Sequence, residues 1–497
     1  MHRNKFLVLA IVIVAGIALV GCATAEEGKV ATNNPAAASS DSGKIPVTTA
    51  SEEARKEYLE GRGLQDKLLI QDSIQHFDKA IALDPNFALA EMNRANVSPT
   101  GKEFFAHLNK AVSLADKASN GERLLILGTE AGANGNAAKQ KELLDQLVAA
   151  YPNDERAHFA LGGYYFGQQD FAKAIEHYKK ATELNPTYST AYNILGYAYR
   201  QNADYANAEK AFQKYIELIP NDPNPYDSLA ELLLKMGRFD EAIVQYRKAL
   251  AIDPNFINSY QGIASALMYQ NKPDEAAAEL QKLTDKARSD AERRTAMFAM
   301  TVVDVDSGKL DAALAEVDKQ YALGEKTNDV AGMTGDLQLK GNILLEMGKA
   351  DEAKAAYERL LKMTSDSSLS QEIKDNATLF HHYNLTRVAL AKKDLTTAKA
   401  EAEVFRKGTE TSKNPFQTKQ AHELLGMIAL EAKDFDTALA ELQQSNLQNP
   451  YDLYRICQAY QGKGDMGKAK ESCTKAATFN SLPLLNLAFI RTKAAKA

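Results

Sequence analysis

Histidine, cysteine and carboxylate side chains could support catalysis or metal binding, but their spacing in this sequence matches no catalytic motif. The 497-residue chain contains no G-x-x-x-x-G-K-[ST], G-x-S-x-G or H-E-x-x-H motif and no cysteine pair at zinc-site spacing. His381 and His382 are adjacent, so on a helix they would point about 100° apart. His158 falls at a packing position, which favours a core histidine. The sequence therefore predicts no enzyme, no metal and no cofactor.

The Cys22 thiol is one further reactive group, and it follows an export signal. A short basic start precedes the apolar run Phe6–Val20, which is shorter than the roughly 20 residues of a membrane-spanning helix. The end of this run, Leu19-Val20-Gly21-Cys22, resembles the lipobox of bacterial lipoproteins. The resemblance implies cleavage before Cys22, acylation of its thiol and amine, and, with Ala23 next, outer-membrane sorting toward the periplasm. An ordinary signal peptide with a chance cysteine is the alternative.

The segment after Cys22 is predicted to be a linker. Residues 23–50 are small and polar and have no apolar period, which is typical of disordered chain. A linker of roughly 28 residues has a typical end-to-end distance of about 30 Å. The sequence thus predicts a signal peptide at 1–21, a lipidated flexible linker at 22–50 and a folded part from residue 51.

Three consecutive 34-residue blocks from Glu155 to Phe256 repeat one pattern. Positions 4, 7, 8 and 11 of each block are spaced as one face of a helix, and positions 20, 24 and 27 as one face of a second. Small residues at 8 and 20 allow close helix contact, and proline at 32 ends the second helix. These residues are Gly162, Gly196 and Ala230 at position 8, Ala174, Ala208 and Ala242 at 20, and Pro186, Pro220 and Pro254 at 32. Each block is predicted to be a helix hairpin that stacks on its neighbours.

This pattern resembles the tetratricopeptide repeat. The resemblance implies an all-α superhelical array, an α-solenoid, with a concave groove lined by the first helix of each hairpin. Seven units in near-constant register cover 51–290, and five irregular hairpins over 291–483 bring the total to about twelve. We attribute the wider spacing after residue 290 to longer linkers, with polar inserts at Thr364–Gln371 and Gly408–Lys419. Residues 484–497 are predicted to form a capping helix and a basic tail.

The family's groove positions supply the predicted partner-binding residues. Carried onto this chain, they are Arg156, Phe159, Phe166, Asn193, Tyr197, Arg200, Asp227, Glu231 and Gln261, together with Lys235, Ser265 and Tyr269. Their aromatic, amide and charged groups suit an extended peptide or a partner helix. Tyr197 and Phe166 are the expected anchors. The paired lysine and asparagine of the carboxylate-clamp subfamily are not found in consecutive repeats.

Two cysteines near the C-terminus, Cys457 and Cys473, fall at positions 8 and 24 of the last hairpin. The two helices of a hairpin are antiparallel, so facing positions have a nearly constant sum, and these two residues should lie opposite each other. An oxidising compartment would favour a disulfide. Two small buried residues used in place of alanine are an equally weighted alternative.

Charge and composition narrow the function. The chain has 59 basic and 65 acidic residues, a net charge of −6, and no Lys/Arg cluster, which argues against a nucleic-acid surface. The favoured function is a non-enzymatic, lipid-anchored scaffold that binds envelope proteins, in assembly of an envelope machine. A solute- or glycan-binding lipoprotein is the alternative, disfavoured by the absence of tryptophan. An enzyme within 291–420, at the His381-His382 pair, is a third.

Overall fold

The computed structural model describes residues 43–497, except 68, 99–100, 135, 368–370 and 413. Over these residues the chain is all-helical, with 25 α-helices, one short 3₁₀ helix at Ala115–Lys117 and no strand. The predicted signal peptide, Cys22 and most of the predicted linker lie outside the described residues. The chain forms two compact units, which divide between Asn221 and Asp222, inside the predicted regular array.

The first unit contains five helix hairpins. In chain order its helices are α1 (Glu52–Gln65), α2 (Ile70–Leu83), α3 (Ala88–Asn96), α4 (Gly101–Leu114), α5 (Asn120–Ala133), α6 (Ala137–Ala150), α7 (Glu155–Gly167), α8 (Phe171–Leu184), α9 (Ser189–Gln201) and α10 (Tyr205–Leu218). Each odd-numbered helix pairs with the next to make a hairpin, and each hairpin packs on the following one. This succession of neighbour contacts is that of an α-solenoid.

The second unit contains seven hairpins and one further helix. Its helices are α11 (Asn224–Lys235), α12 (Phe239–Ile252), α13 (Ile257–Tyr269), α14 (Pro273–Lys286), α15 (Asp290–Asp306), α16 (Leu310–Thr327), α17 (Val330–Glu346), α18 (Ala350–Asp366), α19 (Gln371–Ala391), α20 (Leu395–Ser412), α21 (Pro415–Glu431), α22 (Phe435–Leu442), α23 (Pro450–Lys463), α24 (Met466–Ala477) and α25 (Leu485–Lys496). The twelve hairpins of the two units confirm the predicted fold class.

The wider spacing after residue 290 comes from longer helices. Helix α15 has 17 residues and α19 has 21, whereas α8 and α10 have 14. The predicted longer linkers are therefore wrong in part. Residues 364–366 and Gln371, expected in a polar insert, belong to α18 and α19. The sequence pattern does not distinguish a polar helix surface from a linker, because both are rich in exposed Ser, Asp and Lys.

Close contact between paired helices depends on glycine opposite an aromatic ring. A Cβ atom added to Gly196 on α9 would lie 2.6 Å from the ring of Phe212 on α10, and one on Gly341 would lie 2.2 Å from Tyr357. Phe212 and Tyr357 are fully buried. In these hairpins an aromatic ring thus lies directly against the backbone of the glycine, which explains the small and aromatic residues at positions 8 and 24.

Short turns join the two helices of a hairpin. In several of them a residue with positive φ, such as Gln169 (62°) or Lys433 (60°), precedes an aspartate N-cap. Asp170 accepts from the Lys173 amide at 3.2 Å, and Asp434 accepts from the Thr437 amide at 3.2 Å. These caps satisfy amides that the first turn of a helix leaves unpaired, and so begin the second helix.

A second recurring turn lies between hairpins, at position 31. The side chains of Asp84, Asn185 and Asp253 each accept from the amide two residues further on, at 3.0, 3.1 and 2.9 Å. Such Asx turns redirect the chain after the second helix of a hairpin. At Asp84 and Asp253 the turn uses one carboxylate oxygen and leaves the other available for further contacts.

The last part of the predicted flexible linker is held against the first unit. Residues Gly43–Ala50, which we call the strap, are extended, and Ile45 is 3% exposed. The predicted linker therefore ends earlier than residue 50. The sequence did not indicate this contact, because an extended segment that packs on other repeats needs no apolar period of its own.

Helix α25 packs on α23 and α24, as a cap of the last hairpin would, and it also packs on α15. Its Leu487 and Ile490 are fully buried. Within the described part of the chain, no helix combines the length and apolarity that crossing a membrane requires.

Candidate functional site

Arg156, at the start of α7, is engaged inside the first unit. Its Nε and Nη2 donate to the two carboxylate oxygens of Asp154 at 3.0 and 2.6 Å, and Nη2 also donates to the Ile45 carbonyl at 2.5 Å. Burial alone would raise the pKa of Asp154, but hydrogen bonds from Arg156 and the Ile45 amide hold it below its usual value. Arg156, one of the predicted partner-binding residues, thus contacts the strap and is held in position by Asp154.

Phe159 and Phe166 of α7 pack within the repeats. The Phe159 ring centroid lies 5.5 Å from that of Tyr178 and 5.0 Å from that of Tyr188, and Phe166 lies 5.5 Å from Phe171. Both predicted groove residues are half-buried. Their rings fill space beside α8 and the start of α9, and only part of each faces outward.

Helix α9 brings three predicted groove residues together. The Arg200 guanidinium lies 4.7 Å from the Tyr197 ring centroid, and that ring meets Phe212 edge-on at 5.2 Å. Both Tyr197 and Arg200 are half-buried. Asn193, 6% exposed, has a buried side-chain oxygen without a hydrogen-bond partner. A cation resting on an aromatic ring is a preorganised pair, so this face offers the best contact point among the candidates of the first unit.

In the second unit, Asp227 of α11 is internal. It is 4% exposed and accepts a 2.6 Å hydrogen bond from the Ser259 hydroxyl. Burial, together with nearby Glu231, raises its pKa well above the usual value. Asp227, one of the predicted partner-binding residues, thus contributes to a contact between α11 and α13. Glu231 and Gln261 are half-buried.

Two other groove positions of the second unit bind the chain's own main chain. The Lys235 Nζ donates to the Phe479 carbonyl at 2.5 Å and lies 3.7 Å from the Phe479 ring centroid. The Tyr269 hydroxyl donates to the Ser481 carbonyl at 2.6 Å and accepts from the Ser481 amide at 3.2 Å. Polar groups on first helices thus hold a polypeptide segment by its backbone.

The residues that follow continue along the same face. On α25, Arg491 forms a two-pronged ion pair with Asp306 of α15, at 2.7 and 2.5 Å, and Lys493 contacts Glu346 of α17 at 2.7 Å. We call Phe479–Lys496 the C-terminal segment. It lies on α11, α13, α15 and α17, the first helices of four hairpins, and occupies the face predicted to receive a partner there.

A buried polar cluster lies nearby in the second unit, and no sequence pattern indicated it. Arg455 donates to Glu423 and to Asp452, both at 2.6 Å, and Tyr383 donates to Glu423 at 3.0 Å. Burial and Glu423 raise the pKa of Asp452 above its usual value. The residues come from α19, α21 and α23. Periodicity marks each as an ordinary polar helix position, and only the stacking of three hairpins brings them together.

Several histidines pair with a residue on the other helix of the same hairpin. His382 Nδ1 lies 2.6 Å from Glu401, His422 Nδ1 lies 2.7 Å from Glu441 and His76 Nδ1 lies 2.7 Å from Glu57. The residues of each pair are nineteen positions apart. In the fourth hairpin the equivalent pair is His158 and His177, with Nδ1 atoms 3.2 Å apart. Burial and the neighbouring His158 lower the pKa of His177.

The described residues include no group of three or more His, Cys, Asp or Glu side chains that could hold a metal. His382 pairs with Glu401, whereas the adjacent His381 has a buried Nδ1 without a hydrogen-bond partner. The two rings do not converge. Burial lowers the pKa of His381.

Cys457 and Cys473 lie opposite each other across α23 and α24, with Cα atoms 5.2 Å apart, and are joined as a disulfide. Both are buried. The positional argument that placed them face to face holds because the two helices run antiparallel with constant spacing. Cys22, the predicted lipidation site, lies outside the described residues.

These features define a helical-repeat protein. Tetratricopeptide repeat models match residues 127–189, 164–223, 233–298 and 337–367, which include hairpins of both units. The matched stretches are tetratricopeptide repeats, and such repeats generally serve as scaffolds that bind other proteins. The comparison with curated proteins found no match.

Several solved structures are similar in part. The MamA protein is 29% identical over 34% of this chain and 91% of its own, with a TM-score of 0.31. A tetratricopeptide repeat protein from Parabacteroides merdae is 14% identical over 55% and 98%, with a TM-score of 0.37. A thermophilic repeat protein from Thermus thermophilus is 24% identical over 36% and 99%, with a TM-score of 0.30. These TM-scores are too low to support a comparison of function.

Proposed function

We propose that this chain is a non-enzymatic scaffold of the bacterial envelope whose first helices bind segments of partner proteins. The supporting observation is that Lys235 and Tyr269 donate hydrogen bonds to the backbone carbonyls of Phe479 and Ser481. Contacts to carbonyl and amide groups depend little on side-chain identity, so such a face suits peptides or helices of other proteins. Assembly of an envelope machine is the role that we infer for it.

The membrane anchor belongs to the same proposal. The lipobox resemblance at Cys22 supports acylation and attachment to the outer membrane, with the repeats in the periplasm. Mass spectrometry of the mature N-terminus tests this step. We expect an acylated Cys22; a mature chain that begins elsewhere, or an unmodified Cys22, would contradict the anchor while leaving the scaffold intact.

Partner binding is tested on the Tyr197–Arg200 pair of α9. The full chain serves as bait on envelope extract, and recovered proteins are compared with those from a Tyr197→Ala, Arg200→Ala variant. Because hot-spot aromatic and arginine residues often cost about 2 kcal/mol or more when truncated, we expect recovery of a specific partner to fall at least tenfold.

A matched control exists in the second unit. Arg359 lies 4.7 Å from the Tyr321 ring centroid, the same distance as in the α9 pair, but the two residues lie on the second helices α16 and α18. Tyr321→Ala with Arg359→Ala should leave recovery unchanged. Equal recovery with the α9 variant and with wild type would remove that pair from the binding face; equal loss in both variants would mean that the effect is not specific.

A further inference from the structure

The strap is bound through its backbone amides to carboxylates from three successive hairpins. The Ile45 amide donates to Asp154 Oδ2 at 2.7 Å, the Thr48 amide to Glu122 Oε1 at 2.7 Å, and the Ala50 amide to Asp84 Oδ2 at 3.0 Å. These acceptors lie at the junctions between hairpins. An extended peptide therefore spans the junctions antiparallel to the order of the repeats.

The acceptors are held in place without the strap. Asp84 Oδ1 accepts from the Asn86 amide, Asp154 Oδ1 accepts from the Arg156 amide, and Glu122 Oε2 accepts from the Ser119 amide in a capping box. Each carboxylate thus has one contact that fixes its own turn and offers an oxygen to the strap. A site built in this way persists when its occupant leaves, and preorganisation favours binding.

Four side chains of the strap add contacts to those of its backbone. Ile45 is its one buried side chain, packed beside Gly121 and Tyr151. Lys44 pairs with Glu155, and the hydroxyls of Thr48 and Thr49 donate to Glu122 and Asp84 at 2.5 and 2.6 Å. The remaining contacts run from Arg156 and Arg55 to the carbonyls of residues 45 and 47, at 2.5 and 2.6 Å.

The spacing of these contacts specifies which peptide sequence the site can bind. A lysine next to an aliphatic residue matches Glu155 and the Ile45 pocket, and the amides that pair, at the positions of Ile45, Thr48 and Ala50, exclude proline there. Proline at the position of Pro46 is compatible, since that position donates nothing, and it keeps the preceding residue extended. The site therefore selects an extended Lys-aliphatic-Pro-x-Thr peptide over a helix.

We propose that this face of the first unit is a second peptide-binding site, whose partner is an extended protein segment of Lys-aliphatic-Pro-x-Thr chemistry, and that the strap is its exchangeable occupant. The site lies at the junctions between hairpins, apart from Tyr197 and Arg200. This proposal depends on the proposed function in one respect: the segment that competes with the strap belongs to another protein.

The test measures binding of a labelled, end-capped peptide of residues 43–50 (GKIPVTTA) to the full chain. A variant with a released strap, Ile45→Ser with Thr48→Pro, loses the apolar anchor and one paired amide. We expect it to bind the peptide at least about tenfold more tightly than wild type, because the attached strap no longer competes. A peptide carrying the same two changes should not bind.

Site variants are made in the released background. Glu122→Gln and Asp154→Asn keep the helix caps but remove the charge, and together they should weaken binding about tenfold or more. Asp253→Asn, at an equivalent Asx turn of the second unit, is the matched control and should change affinity less than about twofold. Undetectable binding to the released chain, equal binding to wild type, or insensitivity to both site changes would overturn the proposal.

Hydrogen exchange in wild type covers the case in which the released variant folds poorly. The amides of Ile45 and Thr48 should exchange faster than those of α5 to α7, and excess peptide should accelerate them further. Strap amides that exchange only with global unfolding would make the strap a permanent part of the fold and overturn the proposal. Partner recovery through Tyr197 and Arg200 is independent of all these outcomes.

Discussion

The two units hold their own chain by different sets of contacts. In the first unit, carboxylates at hairpin junctions accept from the amides of the extended strap. In the second unit, Lys235 and Tyr269 donate to carbonyls of the C-terminal segment, and α25 then buries Leu487 and Ile490 completely. One segment rests on polar contacts with a single apolar anchor, and the other on an apolar helix face. The comparison indicates that the strap can be exchanged more readily than the C-terminal segment.

The largest expected effect tests the apolar side of this comparison. Leu487→Ala should lower the free energy of unfolding by about 2–5 kcal/mol, because it removes a fully buried side chain and leaves a cavity. Ile45→Ala in the strap should cost less, since an eight-residue segment can detach locally and so limits the loss. Thermal and denaturant unfolding of the full chain measures both.

Met466→Ala serves as the control, because Met466 is 58% exposed and its truncation should change stability by less than about 0.5 kcal/mol. A larger loss from Ile45→Ala than from Leu487→Ala would reverse the comparison. It would mean that the strap, and not α25, is the more deeply integrated segment.

A change in pH should have a smaller effect on stability, and it should affect the hairpins and the strap in different pH ranges. The pKa of His177 is lowered in the folded chain, so the unfolded chain binds the proton more readily. The contribution of His177 to stability should therefore be largest above the ordinary histidine pKa and be lost as the pH drops below about 6.5. The pKa values of Asp84 and Asp154 are also lowered, so the strap should lose its contacts only in much stronger acid.

His177→Glu would give this hairpin the histidine–carboxylate pair found at His382 and Glu401. Between pH 7.5 and pH 5.5 the melting temperature of wild type should change less favourably than that of the variant, because the variant lacks the buried His177 whose pKa is lowered in the folded chain. Parallel curves for the two proteins would show that the pair does not set the acid response. Nearby Asp145 and Glu176 favour the charged form of His177 and so reduce the effect.

The hairpins could be predicted because their signals are local and repeated. The spacing of Gly196 and Phe212 within one block already implies two helices in close contact, and the structure shows the glycine against the ring. The same arithmetic placed Cys457 opposite Cys473. The contacts made by individual groove positions could not be predicted. Asp227 pairs with Ser259 and Arg156 pairs with Asp154, and the family pattern includes neither partner.

The sequence by itself determined the helix hairpins, their number and the identity of the facing residues, because each depends on side chains within one period of the chain. The contacts of the strap and of the C-terminal segment are evident only from the tertiary structure. The Ile45 amide meets a residue 109 positions away, and Tyr269 meets one 212 positions away. Contacts at such separations leave no period in the sequence, since they arise from the stacking of hairpins that each fold by local rules.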